Sequence, residues 1–345
     1  MKQLRFRLKF GPVIYVAVLM TIALNSAFAN GAERSASQSA SQTGDRENGL
    51  KILVDRAADN STGESTLSNS AEDAPPGNAT ADSSAAAGEI SKKIEMPRAL
   101  GKPEYRNFNL GYAYGFNTYI EPTVMKESGH LNGLAFALES RPLDQALLLR
   151  LSGEFLFGGL AYEGSMYYVE EDRTEPWTTG TNDFIYSLKG VFGLPFVSWQ
   201  GGDLGAFAGV GTRYLNDQIQ GRGGYEREIN YLFVPLGLEA RFFLSNKRVL
   251  TLSAEYDRFV SGTVKSHLTE VGRSRDITNK QTTGHGHRFA ADWSWWMNEG
   301  MDLHIAPYWQ HWQVDDSDQV AMDKRNWYEP KNSTDQVGVT LSVGM

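Results

Sequence analysis

His285 and His287, within Gly284-His285-Gly286-His287-Arg288, stand two residues apart. On a β-strand that spacing puts both imidazoles on one face, as metal ligands or a base would require. No third ligand follows at a recognisable metal spacing, so no metal site is assigned. Asp315, Asp316 and Asp318 lie just beyond His311, the ingredients of an aspartate–histidine hydrolytic couple. An acidic run in a loop is ordinarily a solvated tip, and Glu170-Glu171-Asp172 reads the same way. Ser294 and His287 are two parts of a Ser/His/acid set, but odd and even numbering puts them on opposite faces of a strand. The chain has no cysteine. That removes disulfides, thiolate metal sites, cysteine nucleophiles and a lipidated anchor. No catalytic, cofactor-binding or metal-binding residue is assigned, and no cofactor is expected.

The elements that carry these groups alternate with period two. Leu147, Leu149, Leu151, Phe155 and Phe157 oppose Arg150, Ser152 and Glu154. A helix would scatter those leucines around its circumference, whereas a strand gathers them on one face. The same pattern runs from Leu232 to Phe242, from Leu250 to Asp257, from Arg288 to Trp295 and from Gln336 to Met345. Weaker versions cover 105–119, 130–141, 183–194, 204–215 and 301–313. Short links (140–144, 195–203, 245–248 and 298–300) alternate with polar stretches at 120–129, 161–182, 216–228, 262–283 and 314–334. Tight turns on one side and long loops on the other are the rhythm of a transmembrane antiparallel up-and-down β-barrel. About ten strands are expected, with eight or twelve as alternatives, and five long loops.

The rest of the sequence sets the context. Residues 1–29 read as a cleaved signal peptide: Lys2, Arg5, Arg7 and Lys9, an apolar run from Val13 to Leu24, then Ala27-Phe28-Ala29. Residues 30–104 hold no Phe, Tyr or Trp and are rich in Ser, Ala, Gly and Asp. They cannot bury enough apolar surface to offset ordering and are expected to be a disordered periplasmic segment. Of the 40 aromatic residues, 36 lie in 105–345, the expected barrel. A net charge of −8 argues against nucleic acid as a partner. With an even strand count both termini are periplasmic, in the outer membrane of a diderm bacterium. Trp293, Trp295, Trp296, Trp309 and Trp312 are read as an interfacial aromatic belt.

If the apolar faces meet lipid, the opposite faces line the lumen. That predicts an ion-pair network of Arg141, Arg150, Lys189, Arg213, Arg241 and Arg288 with Glu139, Glu154, Glu239, Glu255, Asp257 and Asp292. Opposite charges in a narrow barrel should pair, since an isolated buried charge is costly.

Several stretches, Tyr119-Ile120-Glu121-Pro122, Gly211-Thr212-Arg213-Tyr214-Leu215, Tyr231-Leu232-Phe233-Val234-Pro235 and Ala254-Glu255-Tyr256-Asp257 among them, resemble a group of uncharacterised, porin-like proteobacterial outer-membrane β-barrel proteins. The resemblance implies a barrel of that class over 105–345 and no particular activity. The expected role is structural or surface interaction, through a charge-filled lumen and exposed loops. A narrow channel for ions or small solutes is the alternative. A surface enzyme, resembling an omptin protease or a lipid A or phospholipid hydrolase, is the third reading. Expected partners are outer-membrane lipid, lipopolysaccharide and, during biogenesis, the barrel-assembly machinery.

Overall fold

The computed structural model describes residues 106–141, 147–168, 173–298, 300–323 and 325–345. The expected signal peptide, the 30–104 segment and the 170–172 acidic run lie outside them. Among the described residues thirteen strands form: β1 (Arg106–Glu121), β2 (Met125–Ser140), β3 (Leu148–Tyr168), β4 (Arg173–Trp199), β5 (Gly202–Ile219), β6 (Glu226–Ser245), β7 (Arg248–Ser266), β8 (Ile277–Gln281), β9 (Gly284–Asn298), β10 (Met301–Val314), β11 (Val320–Met322), β12 (Arg325–Trp327) and β13 (Asn332–Gly344).

Ten of these close a ring. The order is β6-β5-β4-β3-β2-β1-β13-β10-β9-β7, and β7 pairs back onto β6. Every contact in the ring is antiparallel, and the seam is the β1–β13 ladder from Asn109↔Gly344 to Ile120↔Ser333. Closure leaves no free edge, the condition for a sheet to cross lipid. β8 lies outside the ring on the end of β7, from Gly262↔Gln281 to Ser266↔Ile277. β11 and β12 form a separate small hairpin.

The ten alternating segments of the sequence are the ten ring strands, and apolar side chains point outward. On β1 these are Phe108, Leu110, Tyr112, Tyr114 and Phe116, all exposed. Leu134 and Leu138 on β2, Phe192 and Leu194 on β4, and Val337 and Leu341 on β13 continue the band. An apolar surface of this extent around a whole ring is unfavourable in water and matches a hydrocarbon layer. Trp199, Trp293 and Trp295 are exposed toward one end of the band and Trp309 toward the other.

The strands overshoot this band on one side, where the sequence predicted loops. The 120–129 stretch is the tip of a hairpin, paired down to Glu121↔Met125. Most of 161–182 is paired strand, running to Tyr168↔Arg173. The reason is that polar outward residues end the alternation of hydrophobicity without ending the ladder of backbone hydrogen bonds. The end with these extensions is called here the loop end. The other, with the Lys247 hairpin and both ends of the ring sequence, is the turn end.

Glycine and aromatic enrichment have a common cause inside the barrel. A Cβ at Gly237 would lie 2.2 Å from Cζ of Phe207, and one at Gly338 2.7 Å from Cζ of Tyr308. Each ring lies flat across a glycine of a neighbouring strand, so it fills the narrow lumen without splaying the wall.

Candidate functional site

The interior is occupied in layers, and the turn end is built from ion pairs. Arg141 meets Glu139 and Glu239, each at 2.6 Å; Arg150 meets the same two carboxylates at 2.8 and 2.6 Å. Two guanidinium groups and two carboxylates thus alternate, each charge facing two of opposite sign. Arg241 pairs with Asp203 at 2.5 Å, a partner outside the predicted set. Asp292 pairs with His304 at 2.9 Å, and Asp302 lies 3.2 Å from the other ring nitrogen.

Mid-barrel, Lys189 meets Glu255 at 2.6 Å. The Arg288 guanidinium sits 4.0 Å over the Tyr308 ring and 3.8 Å from Glu154. Tyr308 donates to Glu154 at 2.7 Å. Arg213 is buried near the face of Tyr231, 6.0 Å from its centroid, and makes no ion pair among the described residues. Asp257 is buried too, with one oxygen lacking a hydrogen-bond partner. Arg213, Glu255 and Asp257 all point into the lumen, and of the three only Glu255 is in an ion pair among the described residues. Lys189 takes Glu255, and Arg213 is held by an aromatic face.

Toward the loop end an apolar layer crosses the lumen. Trp312 is 1% exposed, with ring centroids of Phe233 and Tyr231 at 5.1 and 5.8 Å. This corrects its reading as a belt residue: it shares the inward face of β10 with Tyr308. Leu131, Leu156, Leu215 and Ile229 complete the layer.

Beyond the aromatic layer lies the arrangement the sequence reading missed. Arg227, on β6, reaches four carboxylates: Glu121 at 2.6 Å, Asp217 at 2.7 Å, Glu329 at 3.3 Å and Glu127 at 3.4 Å. Tyr119 donates to Glu121 at 3.0 Å and to Glu329 at 3.3 Å. All these groups are buried. Outward residues at this level are polar (Lys126, Ser128, Asn216, Gln218, Glu228), so the cluster lies past the apolar band. Asp183 adds a further buried carboxylate; Glu127, Asp183 and Asp217 place carboxylate oxygens within 4.8 Å of one another. Arg227 could have been found by carrying the phase of Tyr231 and Ile229 two residues further, past Glu228. The charge balance of six against six does not hold at this end, where acids outnumber bases.

The last connection covers the cluster. Asn279 on β8 donates to the carbonyls of Asp318 and Trp327 at 2.9 and 3.1 Å. Asp316 accepts from the Lys331 amide at 2.6 Å and Asp318 from the Lys280 amide at 2.5 Å. These aspartates are backbone struts and not a free acidic tip. Held this way, the segment lowers Glu329 onto Arg227. His267 is fixed nearby, 2.7 Å from Glu228 and 3.2 Å from Asp276.

Two of these loop groups set a pH dependence. Burial first, then the Glu121 carboxylate, push Glu329 up to about 8. The hydrogen bond that His267 donates to the Glu228 carboxylate is the first cause holding it above its ordinary value, against burial. A raised pKa means the folded mouth binds protons that the open form releases, so stability is lost as pH rises. For Glu329 the window runs from its ordinary carboxylate range to about 8. For His267 the contribution is present below its ordinary value and fades through the raised one. Both act in the same direction. Amide exchange of β8 and β11–β12 is expected to speed up between pH 6 and pH 9, by up to about tenfold per unit beyond the intrinsic rate. Slower corrected exchange at pH 9 would contradict this.

The residues considered for chemistry at the outset do not converge. His285 and His287 face outward with ring centroids 5.2 Å apart, beside Tyr256. His311 faces outward too, 2.9 Å from Asp335. Ser294 is buried on the inward face, with its hydroxyl near the Val249 carbonyl.

No protein-family profile and no curated protein matches the chain by sequence. Among solved structures, the outer membrane protease OmpT from Escherichia coli is similar at 10% identity and a TM-score of 0.48, covering 71% of this chain and 98% of that one. The Ralstonia pickettii toluene transporter TbuX is similar at 9% identity and 0.31, covering 73% and 92%. The attachment invasion locus protein Ail of Yersinia pestis, solved with a heparin analogue, is similar at 8% identity and 0.30, covering 70% and 99%.

Proposed function

We propose that this chain is an exported outer-membrane barrel whose lumen is filled and whose working surface is its loop end, in a structural or surface-interaction role. The observation that carries the reading is the stack of interior layers. Ion pairs among Glu139, Arg141, Arg150 and Glu239 lie under an aromatic layer around Trp312, and that lies under the Arg227 cluster. A conduit would need a continuous polar path, and the Trp312 layer interrupts it with buried apolar side chains. The loop end, with strands extended past the apolar band and a braced cover, supports a rigid outward platform.

In this reading the loop end faces the medium, and both termini, with residues 30–104, lie on the periplasmic side. The outward rim of Tyr256, His285, His287 and Trp309 faces lipid headgroups, lipopolysaccharide among them. The alternating strand β13 (Asn332–Gly344) is the element offered to the assembly machinery.

Because the native chain lacks cysteine, thiol accessibility tests the reading. Full-length variants are folded into vesicles with the loop end outward and treated with a membrane-impermeant maleimide. Thr282→Cys, at the exposed loop end, should label and Lys247→Cys, at the turn end, should not. Ser253→Cys, inward and opposite Glu239 in register, is expected to behave like Lys247→Cys. Labelling of Ser253→Cys as fast as Thr282→Cys would mean a continuous lumen and overturn the proposal.

A further inference from the structure

We propose that the loop-end mouth binds one divalent cation of the calcium type through Glu127, Asp183 and Asp217. The three come from β2, β4 and β5, within one arc of the ring in which Asp183 and Asp217 are direct cross-strand partners, so one ion would tie three strands of that arc together. Their carboxylate oxygens lie within 4.8 Å of one another. That is about the span of opposite ligands on one calcium ion, given calcium–oxygen distances of roughly 2.3–2.6 Å.

The hydrogen bonding of the three groups points the same way. Asp183 Oδ1 accepts from Thr181 at 2.6 Å. Asp217 Oδ2 and Glu127 Oε1 face Arg227 at 2.7 and 3.4 Å. Each side chain thus has one oxygen engaged. The others, Glu127 Oε2, Asp183 Oδ2 and Asp217 Oδ1, are buried and accept no hydrogen bond. The residues are 0%, 4% and 0% exposed, so bulk water does not reach them. Three buried acceptors left over on three adjacent carboxylates is a costly arrangement unless something positive sits among them.

Charge gives an independent reason. Glu121, Glu127, Asp183, Asp217 and Glu329 surround the single Arg227, with Arg213 a layer below. Protons can relieve part of the excess. One shared proton would leave the third oxygen unmatched and two would be needed to pair all three, whereas a single divalent cation satisfies all three at once. An all-oxygen donor set favours a hard cation over zinc or copper. A site closed to bulk water favours calcium over magnesium, which keeps several waters. A second group, Glu226, Glu228 and His267, is less suited, because Glu228 is already paired with His267 and Lys265. The site does not depend on whether the barrel conducts.

The test uses the full-length chain folded into phosphatidylcholine vesicles, stripped with a chelator and titrated with calcium chloride by calorimetry and thermal melting. One calcium ion per barrel is expected, with a rise in melting temperature. Asp183→Asn and Glu127→Gln should each weaken binding at least tenfold and abolish the thermal shift. Both remove negative charge from a crowded pocket, so folding should survive. Asp335→Asn, an outward acid paired with His311, should bind like the parent. No calcium-dependent shift in the parent chain would overturn the proposal, as would an equal shift in Asp183→Asn and Glu127→Gln.

Discussion

Replacing Arg227 with methionine is expected to open the loop-end mouth and cost about 3–5 kcal/mol of stability, the range for removing one partner from a buried ionic network. Methionine keeps much of the length and apolar volume of the arginine stem, so the loss is electrostatic and not steric. The guanidinium holds Glu121 and Asp217 at 2.6 and 2.7 Å, with Glu127 and Glu329 at its edge. Without it, Glu121 and Glu329 lose their guanidinium partner and face one another buried. Urea unfolding of the vesicle-inserted chain measures the effect. Combining Arg227→Met with Glu121→Gln and Glu329→Gln should recover a large part of the loss, since it removes the charges left unpaired. A single variant as stable as the parent would show that the cluster carries little of the mouth's stability. Arg150→Met should do less, because Arg141 remains on both carboxylates of the turn-end quartet.

Trp312→Ala is expected to cost a similar amount, about 3–5 kcal/mol, by a different mechanism. The indole is fully buried between Phe233 and Tyr231, and Gly286 on β9 gives it room: a Cβ there would lie 2.9 Å from the ring. These neighbours sit on the rigid wall of a closed ring, so they cannot collapse into the space left behind. The variant should nevertheless stay closed to ions, because the Arg227 cluster and the turn-end ion pairs remain above and below the gap. A loss under 1 kcal/mol would mean that the aromatic layer is loosely packed.

How much of this was legible in the sequence follows from what alternation can report. Where one face met lipid, as from Leu232 to Leu238 or Val337 to Leu341, the period-two contrast was strong and the strand was read correctly. Where both faces became polar, as at Glu226-Arg227-Glu228, the contrast vanished though pairing continued, and the strand was read as loop. That boundary hid the carboxylate cluster. Pairings such as Arg141 with Glu239 join strands far apart in sequence, so the inward phase was readable and the partner was not. Glu329 was out of reach altogether, because its place depends on Asp316 and Asp318 bracing the last connection. Trp312 was misread because the aromatic type suits both a belt and a filled lumen; only its phase with Tyr308 separates the two.

The central claim is that the ring is closed and its lumen filled, and single-channel recording in planar bilayers tests it most directly. The full-length chain, inserted at a density verified by a co-reconstituted marker, should give no discrete current steps across a range of voltages. Reproducible steps of constant amplitude would mean that a continuous path runs past Trp312 and Arg227, and would contradict the account.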